Sequence, residues 1–455
     1  MAIKIALINS PLNVTGLSAD FDEPERSLYP PLGLLALATF AKLKKPDLHI
    51  EILDGQVISI KEILKIVHKL SPAIVGISSF APTYGNVLKI ARFSKKIGAK
   101  VILGGHHAVS LATQILLRRG PYSDDYCIDG IVQNDGEQAF YKIAIGEPFG
   151  KIPNLIFSPS SGSIKMNRVE TLDFDSLPIA DRDLVNLDSY FKTQRALNIF
   201  SKIGCKWRNL SGGCIFCSRM HNEMRSKSPV NFWREVSFLR EKYNVETIFD
   251  GRDDFLDDRK WLNKVYELSF NYADRPALTI FASADTIDFQ TIEILKKLNV
   301  SNVILGLESG DRTMLRSMHK KAFPKINERA VRILSEARIG LFASFILGAP
   351  QENKESLHRS IMFAAKIKNL FNKTGAPFSI KTFFFTPIPG SIAFKWLLKK
   401  TGTKYLREDT MDCNSLRRDW VDNFCHTTYD EIVAAVVEMN QFNNNPIKLN
   451  KFSIK

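Results

Sequence analysis

Short apolar runs that end in small or polar residues recur along the first third of the chain: KIALINS (4–10), HIEILDG (49–55), AIVGISS (73–79), KVILGGH (100–106) and GIVQNDG (130–136). Runs of this length without polar alternation predict strands buried on both faces, as in a parallel sheet. Between them, PLGLLALATFAKL, KEILKIVHKL and NVLKIARFSKKIG place apolar residues at helical spacing. Residues 1–145 therefore predict five βα units in a doubly wound parallel α/β sheet, which takes ligands at the carboxyl ends of its strands. Those ends carry Asn9, Asp54, Ser78, Ser79, Gly104, Gly105, His106, Asp135, Gly136 and Glu137. Glycine there lets a flat or phosphate-bearing ligand approach the backbone, although ordinary turn chemistry selects the same residue types.

From 146 to 195, proline, serine and aspartate break up every apolar run, which predicts a connector with one hairpin around Ser158–Ser163. A second series follows: ALNIFSKI (196–203), VETIFDG (245–251), ALTIFASA (277–284), NVILGLES (302–309), ASFILGA (343–349) and IKTFFFTP (380–387). Helical patterns such as FQTIEILKKLN and NERAVRILSEARIG separate these runs. Six βα units over 196–395 predict an incomplete parallel barrel, with its active site in the loops at the strand carboxyl ends. IAFKWLLKK reads as the last barrel helix. Residues 396–455 read as a helical extension, with a helix over YDEIVAAVVEMNQF and a polar, basic tail.

Composition narrows the class. With 45% hydrophobic and 24% charged residues over 455 positions, the chain can bury large cores. No apolar run reaches about eighteen residues, so no membrane span is expected. The first residues, MAIKIALINSPLN, read as a strand and lack the basic flank and cleavage site of a signal peptide, which makes the cytoplasm the expected compartment. The net charge of +14 is spread along the chain as on a solvated surface; nucleic acid is not the expected partner, while an acidic or phosphorylated small molecule fits the sign.

Three of the six cysteines fall in GCKWRNLSGGCIFC (204–217), and Cys127, Cys413 and Cys425 lack the pattern of a disulfide framework. Cys214 and Cys217 form a C-x2-C hook just after the first barrel strand, and Cys205 can join them if the glycine-rich loop folds back. A structural zinc site needs four ligands, for which His221 is the candidate fourth. A 4Fe-4S cluster on three thiolates instead leaves one iron open to a small molecule with an amine and a carboxylate. Buried structural cysteines are the third reading, disfavoured by the adjacent glycines.

Further motifs occur in one order. PPLGLLALATF (30–40), LDG (53–55), VGISS (75–79), LGGHHA (103–108) and NDGEQAF (134–140) lie in the first module, and FDSLPIADRDL (174–184) in the connector. CIFC, DGRDDF (250–255), GLESG (306–310), LGAPQE (347–352) and TPIPGS (386–391) fall in order at the ends of the first, second, fourth, fifth and sixth barrel strands. Together they resemble radical S-adenosylmethionine (radical SAM) enzymes with an amino-terminal cobalamin-binding domain, over nearly all of residues 1–395. The resemblance implies a flavodoxin-like sheet of the cobalamin-binding type followed by a partial (β/α)6 radical SAM barrel. Two departures stand out. The family's C-x3-C-x2-C spacing is stretched to eight residues between Cys205 and Cys214, and the D-x-H-x-x-G motif that supplies a lower histidine to cobalt elsewhere is absent.

What the resemblance implies is specific. Cys205, Cys214 and Cys217 would hold a 4Fe-4S cluster that cleaves S-adenosylmethionine to a 5'-deoxyadenosyl radical, with electrons from an external donor such as flavodoxin or ferredoxin. Asp250, Asp253 and Asp254 would meet the methionine ammonium, though acids entering a helix also suit its amino end. Glu308, with Ser309 beside it, would accept from the ribose hydroxyls. Gly348 would let adenine lie on backbone, and Glu352 would cap the next helix. Cobalamin would sit over Asp54, Ser78, Gly104, Gly105, His106, Gly136 and Glu137, with His106 and His107 better suited to hydrogen bonds than to cobalt. The implied reaction is methyl transfer or rearrangement at an unactivated carbon. An RNA-modifying methylthiotransferase is the alternative enzyme, although the three extra cysteines and terminal β domain of that group are not apparent; a zinc-hook nucleic-acid-binding protein is the non-enzyme alternative.

Overall fold

The computed structural model describes residues 3–12, 28–218, 223–406 and 412–443. The first apolar runs form β1 (Lys4–Asn9), β2 (His49–Asp54), β3 (Ile74–Ser78), β4 (Lys100–Gly104) and β5 (Gly130–Val132). These strands pair in parallel in the order 2-1-3-4-5, so the order reverses between β1 and β3, where doubly wound sheets bind ligands. Ile5 and Leu7 pack with helices 32–44 and 137–144, while Ala6 and Ile8 pack with helices 60–70 and 84–96. That two-sided burial explains why the runs show no polar alternation.

The connector holds more order than its broken apolar runs imply. β6 (Leu155–Phe157) and β7 (Lys165–Met166) make the hairpin expected around Ser158–Ser163, and β6 adds antiparallel to β5, extending the first sheet to seven strands. Beyond it, Asp173, Asp181 and Asn186 each accept from the backbone N–H two residues on and start a short 3-10 turn.

The second sheet contains β8 (Ala196–Ile199), β11 (Thr247–Asp250), β12 (Ala277–Ala282), β13 (Val300–Glu308), β14 (Gly340–Leu347) and β15 (Phe378–Phe384), all parallel and adjacent in chain order. β9 (Lys202–Ile203) and β10 (Arg225–Ser226) form a separate short antiparallel pair. β15 is a free edge of the open barrel, and two side chains satisfy it. Asn440 and Asn443, at the end of helix 429–440, accept from the N–H groups of Thr382 and Ile380 (2.7 and 2.9 Å) and donate to their carbonyls (3.1 and 2.8 Å). They occupy the place of a seventh strand on an otherwise unpaired edge. The extension also contains helix 413–424, whose polar sequence CNSLRRDWVDNF conceals a buried stripe of Leu416, Trp420 and Val421. No helix among the described residues is long and apolar enough to cross a membrane.

The two halves share a core. One apolar cluster runs from Ala6 and Val87 to Ile215, Met318, Phe385 and Trp420. Polar links reinforce it: Tyr190 Oη donates to Asp54 (2.8 Å), and Arg225 forks onto both oxygens of Asp135 (2.8 Å each). The carboxyl ends of the two sheets consequently border common space.

Candidate active site between two strand-end rims

The stretched cysteine loop is compact because most of its length is helical. Residues Lys206–Ser211 form a short helix after Cys205, and Gly212 and Gly213, both with positive φ (+85° and +79°), turn the chain back toward Cys214. Backbone and ring contacts hold this return. Trp207 Nε1 donates to the carbonyl of His319 (2.9 Å), His319 Nδ1 lies 2.7 Å from the carbonyl of Gly213, and the Trp207 and His319 rings pack at 5.4 Å. Ile215 is bonded through its N–H to Met318 and through its carbonyl to Ala393 (3.1 and 2.9 Å). Among the described residues no three His, Cys, Asp or Glu side chains converge closely enough for a single metal ion. His221, the candidate fourth zinc ligand, lies outside the described residues. Cys205 and Cys217 both act electrostatically on Cys214. Burial pushes the Cys214 thiol up to about 11, with the Lys320 ammonium opposing it.

Glu308 ends β13 in the left-handed region (φ +60°), where the pairing with β14 shifts register. A non-glycine residue held there is strained by about 1–3 kcal/mol, and such strain clusters at working sites. The side chain folds back over Gly306, where a Cβ would collide with the Glu308 carboxylate and press on Lys320 Nζ. Oε1 accepts from Lys320 (3.1 Å), while Oε2 is buried with no hydrogen-bond partner among the described residues. Burial opposes the charge on Lys320, but Glu308 and the thiols of Cys214 and Cys217 hold its pKa above the ordinary value. The carboxylate, the ammonium and the thiols thus form one electrostatic group.

On the first sheet, Ser78, Gly104, Gly105, Gly136 and Glu137 line a cavity of about 390 Å³ that reaches under the strands to Leu7 and Gly76. A second cavity, about 410 Å³, lies between the rims, bordered by His106 and Glu137 on one side and by Phe200, Gly204, Gly251 and Asp253 on the other. A third, about 600 Å³, extends past His106 and His107 to Ser218 and Pro389. Phe80 borders all three.

Residues 203–364 match the family model of the Radical SAM superfamily, and residues 26–143 that of the B12 binding domain. The chain is a radical SAM enzyme with an amino-terminal cobalamin-binding domain. It is 26% identical over 404 residues to an uncharacterized methyltransferase of Pyrococcus horikoshii, covering 84% of this chain and 82% of that protein. It is 21% identical to the anaerobic magnesium-protoporphyrin IX monomethyl ester cyclase of Rubrivivax gelatinosus over 65% of this chain and 54% of the relative. Two solved structures share its fold. One is the cobalamin-dependent S-adenosylmethionine radical enzyme OxsB (TM-score 0.68, 18% identity, 91% of this chain and 64% of that one). The other is the radical S-adenosylmethionine methyltransferase TsrM from Kitasatospora setae (TM-score 0.67, 17% identity, 88% and 78%). The cofactors of this class are a 4Fe-4S cluster, S-adenosylmethionine and cobalamin.

The residues of this radical SAM enzyme fit those groups unevenly. For cobalamin, a Cβ at Gly104 would meet nothing within 4 Å, and Ser10 Oγ, beside the 600 Å³ cavity, is buried without a partner among the described residues, so there is both room and an unmet hydroxyl. Gly105 (φ +97°) must be glycine, because a Cβ would come within 2.5 Å of the Ser79 carbonyl. His106 borders the cavities beside Phe80 (ring centroids 6.1 Å). His107 is buried against Tyr84 (4.3 Å), and burial pushes its pKa down to about 3, so it stays neutral. Asp54 is placed elsewhere: it accepts from Asn9 (2.8 Å), the Gln56 N–H (3.0 Å) and Tyr190 (2.8 Å) and lines none of these cavities.

At the barrel mouth several expected ligand groups have protein partners instead. Asp250 is fully buried, accepting from the Ser201 N–H (3.0 Å), the Ser201 hydroxyl and the Arg252 N–H (3.1 Å). It braces the loop that leads to Cys205. Asp254 accepts from the Leu256 N–H (3.0 Å), and burial together with Asp257 raises its pKa to about 6. Of the three acids, Asp253 borders the cavity between the rims. Ser309 is bonded to Ser360 (2.8 Å) and the Asp311 N–H (3.0 Å). Gly348 (φ +95°) accepts from Trp420 Nε1 (2.9 Å), and its N–H donates to Glu352 (3.1 Å). Glu352 lies one residue before the cap Asn353 and accepts from Gly348, Ala349 and Ser356, so it stabilises the turn into helix 354–374. Lys320, Ser201 and Phe200 were absent from the expected set. Nothing in SMHKK or NIFSK distinguishes them locally, because their partners lie 12 to about 50 residues away in sequence.

Proposed function

We propose that this enzyme is a cobalamin-dependent methyltransferase that generates a 5'-deoxyadenosyl radical and acts on a small molecule held between the two rims. The observation that carries this reading is the 410 Å³ cavity bordered at once by Glu137 of the first sheet and by Gly204, next to Cys205, of the barrel. When bound, the cluster supplies the electron that breaks S-adenosylmethionine, and cobalamin supplies a carrier for the methyl group. Cys205, Cys214 and Cys217 are the cluster ligands, a reading supported by the short helix 206–211 and the two positive-φ glycines that turn the chain back toward Cys214. Glu308 Oε2 is the acceptor for ribose hydroxyls, and Lys320 beside it provides positive charge for a carboxylate. Asp253, which borders that cavity, is the acid assigned to the ammonium. Ser78, Gly104, Gly105, Gly136 and Glu137 cradle the corrin and its tail, and no histidine is assigned to cobalt.

Anaerobic reconstitution tests the reading. About four irons per chain and 5'-deoxyadenosine after addition of S-adenosylmethionine and a strong reductant are expected, with cobalamin co-purifying when supplied during folding. Cys205→Ala, Cys214→Ala and Cys217→Ala should each strip the iron. Full iron in Cys205→Ala removes that residue from the ligand set, and a fully loaded protein that forms no 5'-deoxyadenosine overturns the reaction.

A further inference from the structure

The cavity between the rims has a chemistry of its own. Phenylalanines border it from both halves, Phe80 after β3 (41% exposed) and Phe200 after β8 (42% exposed), and Phe174 and Pro178 of the connector complete an apolar wall. Phe200 packs against Gly251, where a Cβ would come within 2.5 Å of the ring. A glycine at that strand exit is therefore what allows the aromatic platform. The bordering lysines are already engaged: Lys202 pairs with Asp257, and Lys227 with Glu235, which also faces Arg182 at 3.9 Å. Glu137 forms no ion pair among the described residues; burial and Asp135 raise its pKa, and Arg225 opposes the shift.

We propose that the substrate is a neutral, phosphate-free ring compound that lies against Phe200 and donates one O–H or N–H to Glu137. This class rests on the site assigned above and replaces the acidic or phosphorylated molecule that net charge alone favours. A phosphate could recruit Lys202 or Lys227 only by drawing each away from the nearer of its carboxylate's two cations, leaving Asp257 with Arg252 at 3.5 Å and Glu235 with Arg182 at 3.9 Å, which loosens a buried ion-pair network for one new contact. A ring stacked on an aromatic face gains contact energy without that loss.

The probe is N-phenyl-1-naphthylamine, a neutral diarylamine with one phenyl and one naphthyl group that brightens in apolar surroundings and needs neither cluster nor cobalamin. Saturable brightening with the full chain is expected, undiminished by excess inorganic phosphate. Phe200→Ala should weaken binding about tenfold, as the loss of one aromatic contact and its burial predicts; Phe200→Leu, which retains bulk for folding, should shift it in the same direction. Methylating the probe nitrogen should weaken binding to the wild type but not to Glu137→Leu. Absence of saturable binding, displacement by phosphate, or unchanged affinity in both Phe200 variants overturns the substrate class. Formation of 5'-deoxyadenosine by the reconstituted enzyme is a separate readout: its presence alongside any of these results leaves the proposed reaction standing and rejects only the class.

Discussion

The two strand-end rims were marked in the sequence by similar small and acidic residues, yet the folded protein treats them differently. On the first sheet, Ser78, Gly104, Gly105, Gly136 and Glu137 all border open space. At the barrel mouth, Asp250, Ser309 and Gly348 are tied to protein partners, while Glu308 keeps one oxygen unmet. The difference follows from what each residue type needs. A glycine has no side chain to satisfy and leaves space wherever its backbone goes. A buried carboxylate must find donors or lose its charge, so an acid at a strand end can become a brace as well as a ligand.

The comparison breaks most sharply at Asp250. If it is a brace, Asp250→Ala leaves the fully buried Arg252 short of its neighbour and should cost about 3–5 kcal/mol, seen as a lowered midpoint in chemical denaturation. Wild-type stability combined with lost S-adenosylmethionine binding would show that the acid is a ligand after all.

Glu352 offers a pH-dependent version of the same contrast. Burial raises its pKa to about 7 from 4.5, so the folded protein holds a proton that the unfolded chain has released between those values. The stability contributed by this group is complete below the unfolded pKa and declines as pH rises toward about 7, by an amount on the order of 3 kcal/mol. Glu352→Gln should flatten that decline in unfolding free energy, and an unchanged slope would count against the buried, proton-holding carboxyl.

Glu308→Asp keeps the charge beside Lys320 and shortens the reach. It should weaken S-adenosylmethionine binding about tenfold, the value of a hydrogen bond to a charged group, with little change in iron content; equilibrium dialysis of the reconstituted protein measures it. The smallest expected stability effect is at Gly104. Gly104→Ala meets no atom within 4 Å, so folding should change by less than about 0.5 kcal/mol while cobalamin retention falls. Undiminished retention would move the corrin away from that rim.

Much of the architecture was legible in local pattern. All eleven predicted apolar runs contain strands, and KWRNLSGG, read as a glycine-rich loop, does fold back, although through a helical turn that its residues conceal. The hairpin near Ser158–Ser163 was visible in its turn residues, but its addition to the first sheet was not, because β6 is three residues long and its pairing with β5 spans about 25 positions. Helix 413–424 was not singled out within the helical extension, because its four buried residues, one of them Arg417, make a faint apolar stripe. At the proposed site, Cys205, Cys214, Cys217, Glu308 and the glycines could be nominated from spacing and type. Lys320 could not, since a lysine in a polar run reads as surface until Glu308 and the thiols are placed around it.

By itself the sequence determined where the strands of the two βα series lie, their order along the chain, and which residues stand at strand ends, because periodicity and turn chemistry act over a few neighbouring residues. Tertiary structure alone decided which of those strand-end groups are offered to a ligand and which are bound within the protein. Burial, ion pairing and hydrogen bonding depend on side chains brought together from distant positions, as Ser201 meets Asp250 and Lys320 meets Glu308.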